Sequence, residues 1–182
     1  MKKSFVIVLM SAATIAASGY ASAASTESKA TYAAAKDAAS ADFKVARAKC
    51  DSLTDNPKDV CIAEAKAARI FVEANAEAQY KNTLSARTSA TKDIADANYD
   101  VEKTKCASQT GNAKDVCIKA AQANKVAAVS NATADKKVIE ARKDARDDKN
   151  TAEYKLALEK CDSSTGAAKD ACVAAAKSKF GK

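Results

Sequence analysis

The chain has 182 residues, of which 46 are Ala, 4 Gly and 1 Pro, with no Trp or His, 5% aromatic residues and a formal net charge of +7. That composition favours helix over sheet, and the lack of His removes Ser-His and Cys-His catalysis together with most zinc sites. The length suits one ordinary domain and is short for two independent cores.

The first predicted element is a leader. Lys2 and Lys3 precede an uncharged run, Ser4 to Ala17, and Ala21-Ser22-Ala23 supplies the small residues of a cleavage site. Residues 1–23 are therefore read as a cleaved signal peptide, the run being shorter than the roughly 20 residues that span a bilayer. The mature chain, 24–182, is read as a single helical repeat domain of net charge +5, exported to the periplasm, with the extracellular space as the alternative.

Six cysteines in an exported chain point to disulfides. They fall in three copies of one spacing, Cys50 to Cys61, Cys106 to Cys117 and Cys161 to Cys172, each enclosing ten residues. Pairing within each copy is the economical arrangement. The copies read C-D-S-L-T-D-N-P-K-D-V-C, C-A-S-Q-T-G-N-A-K-D-V-C and C-D-S-S-T-G-A-A-K-D-A-C, and lie 56 and 55 residues apart. Upstream, Phe43, Tyr99 and Tyr154 each stand seven residues before the first Cys of their copy. A duplicated unit of this kind predicts one local structure used three times.

That structure is a helical hairpin. Gly111 and Gly166, and Asp55 in the equivalent place, tolerate the left-handed backbone that ends a helix or turn. Asn56 and Asn112 suit an N-cap, with Pro57 at the first helical position and Asp59 or Asp115 three residues after the cap, near the positive end of the helix dipole. The third copy keeps Asp170 but has Ala167 at the cap, so its second helix is expected to start less firmly. Each bridge is worth about 3 kcal/mol by restricting the denatured chain, and an Ala-rich core, burying little apolar area, needs it.

Between bridges, Cys61 to Cys106 and Cys117 to Cys161 contain neither Gly nor Pro. Both are expected to be continuous helices of about 66 Å. A weak seam at Ala76, Tyr80, Thr83, Arg87, Ala90, Ile94, Ala97 and Val101 supports the first. Against continuity stand Asn82-Thr83-Leu84-Ser85, Thr88-Ser89-Ala90-Thr91 and Ser130-Asn131-Ala132-Thr133, clusters of poor helix formers. With a first helix near Ser28 to Cys50 and a last near Lys169 to Phe180, the expected fold is all-α: an elongated antiparallel bundle of three disulfide-clipped helical hairpin repeats centred on 50–61, 106–117 and 161–172. Loops one and three would share an end, gathering up to four helices around Phe43, Val45, Ile62, Tyr154, Leu156 and Val173. Broken long helices would instead give three hairpins side by side.

Little in the sequence carries chemistry. Asp51, Asp55 and Asp59 do not form a D-x-D-x-D-G calcium loop and read as capping residues. Ser52, Ser108 and Ser163 recur with Lys58, Lys114 and Lys169, but three nucleophiles on tight loops without an oxyanion hole read as turn residues. No catalytic, cofactor or metal residues are assigned. Both charge signs alternate from Asp135 to Lys149, with Glu140–Lys143 and Lys143–Asp147 at helical spacing, so nucleic acid is not an expected partner.

The stretches Phe43 to Lys66, Tyr99 to Ala121 and Tyr154 to Lys177 match, with departures in each copy, a unit A-x-Y/F-K-x-A-x-x-K-C-D followed by G-x-A-K-D-V-C-x-x-x-A-K. It resembles short exported proteobacterial proteins labelled cell-envelope biogenesis or TolA-like. The resemblance implies an envelope location and helical hairpins. The expected function is that of a non-enzymatic periplasmic helical protein, an envelope scaffold or binding module whose partners are envelope proteins or further copies of itself. The alternatives are a peripheral binder of anionic lipid or lipopolysaccharide and a stress holding chaperone with exposed apolar stripes.

Overall fold

The computed structural model describes residues 28–182; the leader assigned to 1–23 lies outside them. The described residues form five helices and no strand: α1 Lys29–Lys49, α2 Asp55–Lys81, α3 Leu84–Lys105, α4 Gly111–Cys161 and α5 Gly166–Phe180. Single 3-10 turns, Cys50–Ser52 and Cys106–Ser108, follow α1 and α3. The architecture is an elongated antiparallel arrangement of three disulfide-clipped hairpins, α1/α2, α3/α4 and α4/α5.

The three corners repeat one construction. The hydroxyls of Ser52, Ser108 and Ser163 each donate to the carbonyl three residues back, on Lys49, Lys105 and Lys160, at 2.9 Å. The amides of Leu53, Gln109 and Ser164 donate to the carbonyls of Cys50, Cys106 and Cys161 at 3.1, 3.1 and 3.0 Å. Thr54, Thr110 and Thr165 are extended, and the next residue turns left-handed: Asp55 at φ 51°, Gly111 and Gly166 at 57°. The bridges Cys50–Cys61, Cys106–Cys117 and Cys161–Cys172 then close Cα separations of 5.7, 5.7 and 5.6 Å. Asp51–Lys58 and Asp162–Lys169 ion pairs, at 3.2 and 2.8 Å, span corners one and three, while corner two has Ala107 instead of the Asp.

Two expectations about these corners are corrected. The N-cap positions fall at Thr54 and Thr110, two residues before Asn56 and Asn112, because the left-handed residue already belongs to the helix that follows, and neither Thr side chain makes a capping hydrogen bond. Asn56 instead donates its amide to the Thr104 carbonyl of α3 at 2.7 Å. In consequence Asp59, Asp115 and Asp170 fall at the fifth helical position, beyond the first-turn amides they were expected to cap.

The first long segment also breaks where continuity was expected. Asn82 ends α2 with φ 44°, its amide bonded to the Ala78 carbonyl at 3.0 Å. Thr83 then caps α3 by accepting from the Ala86 amide at 3.0 Å. The second segment does run unbroken, as the 51-residue α4. Within its polar cluster the Thr133 hydroxyl donates back to the Val129 carbonyl at 2.8 Å, so the hydroxyl is satisfied without leaving the helix.

The break redirects the chain. It folds α3 back along α2, so corners one and two share an end, tied by Asn56 to Thr104 and by a 3.2 Å Lys105–Glu64 ion pair, while corner three stands alone at the far end of α4. The four-helix end expected around corners one and three does not form. Phe43 lies under the Arg69 guanidinium at 4.8 Å, Tyr154 packs on Phe180 at 5.9 Å, and Val45 and Leu156 are 59% and 56% exposed. Each helix packs chiefly on its neighbours in sequence.

The interfaces are built mostly from Ala. Ala74, Ala78 and Ala90 form a buried cluster between α2 and α3 with Ile94 against it, and Ala95, Ala97, Val101 and Ala121 are buried along α3 and α4. Short side chains allow close helix approach but bury little area per residue. The largest fully buried side chains among the described residues are Cys50, Cys106 and Cys161.

Two measurements test this account. Replacing Cys106 and Cys117 together by Ser should cost about 3 kcal/mol on the chain-entropy scale, read as a fall in melting temperature. Gly111→Ala, which meets no atom within 4 Å and so suffers only left-handed backbone strain, should cost about 1 kcal/mol, whereas Asp55→Gly should leave stability unchanged or raise it.

Candidate functional site

The position of α4 singles it out. Its first half lies against α3, joined by a 2.8 Å Lys125–Asp96 ion pair and the buried Ala121. Its end lies against α5, through Cys161, Tyr154 on Phe180 and a 3.5 Å bond from the Asn150 amide to the Phe180 carbonyl. These contacts share one side of the helix. Between them, residues 137–149 are exposed on every side, a bare helical span of about 20 Å.

Opposite the covered side runs an apolar stripe that α3 and α5 leave open. Val116, Ala120, Ala123 and Ala127 recur eighteen residues later as Ala134, Val138, Ala141 and Ala145, and the pattern resumes with Ala152 and Leu156. Eighteen residues make five whole turns, so the stripe stays on one side of a straight helix. All these residues are exposed, Val116 by 59%, Val138 by 47% and Leu156 by 56%. Asn131 and Lys149 are its polar interruptions. The signal of the stripe in the sequence is this eighteen-residue recurrence, which the 76–101 seam, divided at Asn82, does not contain.

Ion pairs along the helix support the bare span. Lys143 and Asp147 meet at 2.8 Å, while Glu140 pairs with Lys136 at 3.6 Å and not with Lys143. The hydrogen bond from Lys143 holds the Asp147 carboxyl below the usual carboxylate range, and the same bond raises the Lys143 ammonium above the lysine range. In corner one, hydrogen bonds from Arg47 and Lys58 lower Asp51. Lys105 is raised by Glu102 and Glu64, and Lys125 by Asp96.

The other sequence candidates separate in space or take structural duties. Asp51 is occupied by Arg47 and Lys58 at 2.7 and 3.2 Å, and among the described residues no group of three or more His, Cys, Asp or Glu is placed to hold a metal. The recurring Ser hydroxyls are committed to backbone carbonyls. An open groove of about 550 Å³ between α2 and α3, lined by Ile62, Lys66, Ile70 and Lys103, continues into a smaller one bearing Glu73, Glu77, Asp93 and Asp96. No described helix is long and apolar enough to cross a membrane. Three disulfides fit an oxidising compartment. No known protein family, curated protein or solved structure matches the chain.

The shifted groups set a pH dependence. Asp51 and Asp147 are depressed, so their contribution is present above the ordinary carboxylate range and disappears as pH falls through their folded values. Lys105, Lys125 and Lys143 are raised, so theirs is present below the ordinary lysine range and disappears as pH rises through their folded values. Melting temperature should be flat between about pH 5 and pH 9 and fall below and above that window; thermal melts monitored by circular dichroism from about pH 2 to about pH 11 check it.

Proposed function

We propose that this chain is a non-enzymatic periplasmic protein, exported by the leader at 1–23, that scaffolds or binds other envelope proteins through the uncovered face of α4. The observation that carries the reading is the stripe from Val116 to Leu156, exposed over its whole length. Contiguous exposed apolar surface marks interaction sites, and here Ala residues join Val116, Val138 and Leu156 along one helix face, an element that protein partners commonly recognise. Clipped corners at both ends of α4 fix where that face begins and ends. The resemblance of the repeated unit to TolA-like envelope proteins supports the same compartment.

The test is crosslinking in intact cells followed by mass spectrometry of attached proteins, comparing the native chain with Val138→Glu/Leu156→Glu. Both positions are solvent-facing, so the variant should keep its helicity. Recurrent links to defined envelope proteins, reduced several-fold in the variant, are expected. Links to a diverse set of unfolded clients would replace this reading with a holding chaperone, and recovery of lipid or lipopolysaccharide alone, lost in high salt, would replace it with a peripheral surface binder.

A further inference from the structure

We infer that the upper part of the α4 face docks on the same face of a second copy of this chain, in an antiparallel pair centred between Lys149 and Asn150. The inference rests on the reading of this face as protein-binding and names its partner.

The argument comes from charge placed symmetrically beside the apolar line. Asp144 and Lys155 lie along one edge of the stripe, and Arg146 and Glu153 along the other, all four exposed. Both pairs have their midpoint between residues 149 and 150. In an antiparallel helix pair related by a two-fold axis, each edge meets the same edge of the other copy. An axis at that midpoint therefore sets Asp144 opposite Lys155 and Arg146 opposite Glu153, each twice. Asp144 and Lys155 make no ion pair among the described residues, and Arg146 and Glu153 have only long ones, to Asp147 at 4.0 Å and Lys149 at 3.8 Å.

The same register completes the apolar contact. It interleaves Ala141 and Ala145 of one copy with Ala152 and Leu156 of the other, so Leu156 falls between two short side chains. Lys149, which interrupts the stripe, lies on the same edge as Glu153, so the two Lys149 side chains that flank the axis each have a Glu153 carboxylate within one turn. Among the described residues α5 leaves this face open, since it packs on the opposite side of α4. The contact would be of the kind the molecule already makes between α2 and α3, antiparallel helices meeting through Ala.

Charge reversal on the full mature, oxidised chain tests the pairing by sedimentation equilibrium. The native chain should form a dimer, and Asp144→Lys or Lys155→Asp alone should each weaken it about tenfold by turning two attractive pairs repulsive. The two together restore opposite signs and should recover native affinity. Circular dichroism on each variant separates lost pairing from lost fold. A chain that is monomeric at every concentration, a dimer indifferent to both reversals, or a double variant as weak as the single ones would each overturn the inference. Capture of other envelope proteins in intact cells is a separate readout, so the wider binding role can survive that failure.

Discussion

Everything else in this molecule depends on three covalently closed corners. A chain so rich in Ala gains little from burial at any one helix contact, and five helices joined by ordinary loops would compete with many alternative packings. Each disulfide removes that freedom locally by fixing where one helix stops and the next begins. The burial pattern agrees: the cysteines that close α1, α3 and α4 are fully enclosed, while Val45, Phe71 and Leu156 face solvent. Sulfur takes the central place that Leu or Phe holds in a conventional core.

The packing between corners is correspondingly local. Consecutive helices lie side by side, and among the described residues no central core gathers helices that are not neighbours in sequence. Stability in such an arrangement approximates a sum over neighbouring contacts, as in repeat proteins, so damage to one hairpin need not unfold the next. It also leaves helices with two exposed flanks. For α1 to α3 those flanks are mixed and charged, whereas on α4 one of them is an apolar line interrupted only at Asn131 and Lys149.

How far the sequence disclosed this varied with the range of the interaction. The Cys50–Cys61 spacing and its two echoes announced the corners because their physics is contained within a dozen residues. The left-handed positions Asp55, Gly111 and Gly166 were legible for the same reason. Asn82 and Ser130-to-Thr133 looked alike as polar clusters, yet only the first breaks its helix. The distinction lies in an Asn able to take φ 44° directly before a Thr that caps the following helix. Asn56 was misplaced because its partner, the Thr104 carbonyl, is 48 residues away and reaches it only after that break. The α4 stripe escaped notice because it is defined as much by what fails to cover it as by its own composition.

The bare span of α4 has a geometric meaning of its own. Because nothing but backbone connects the two ends there, the direction in which α5 lies is fixed relative to α3 solely by the count of residues between them. Each residue added or removed in 137–149 would swing the C-terminal hairpin about the helix axis by about 100° and shift it by about 1.5 Å. The present count places α3 and α5 on one side, leaving the other side clear from end to end. This stretch is thus phased, and its tolerance should be to changes of sequence far more than to changes of length.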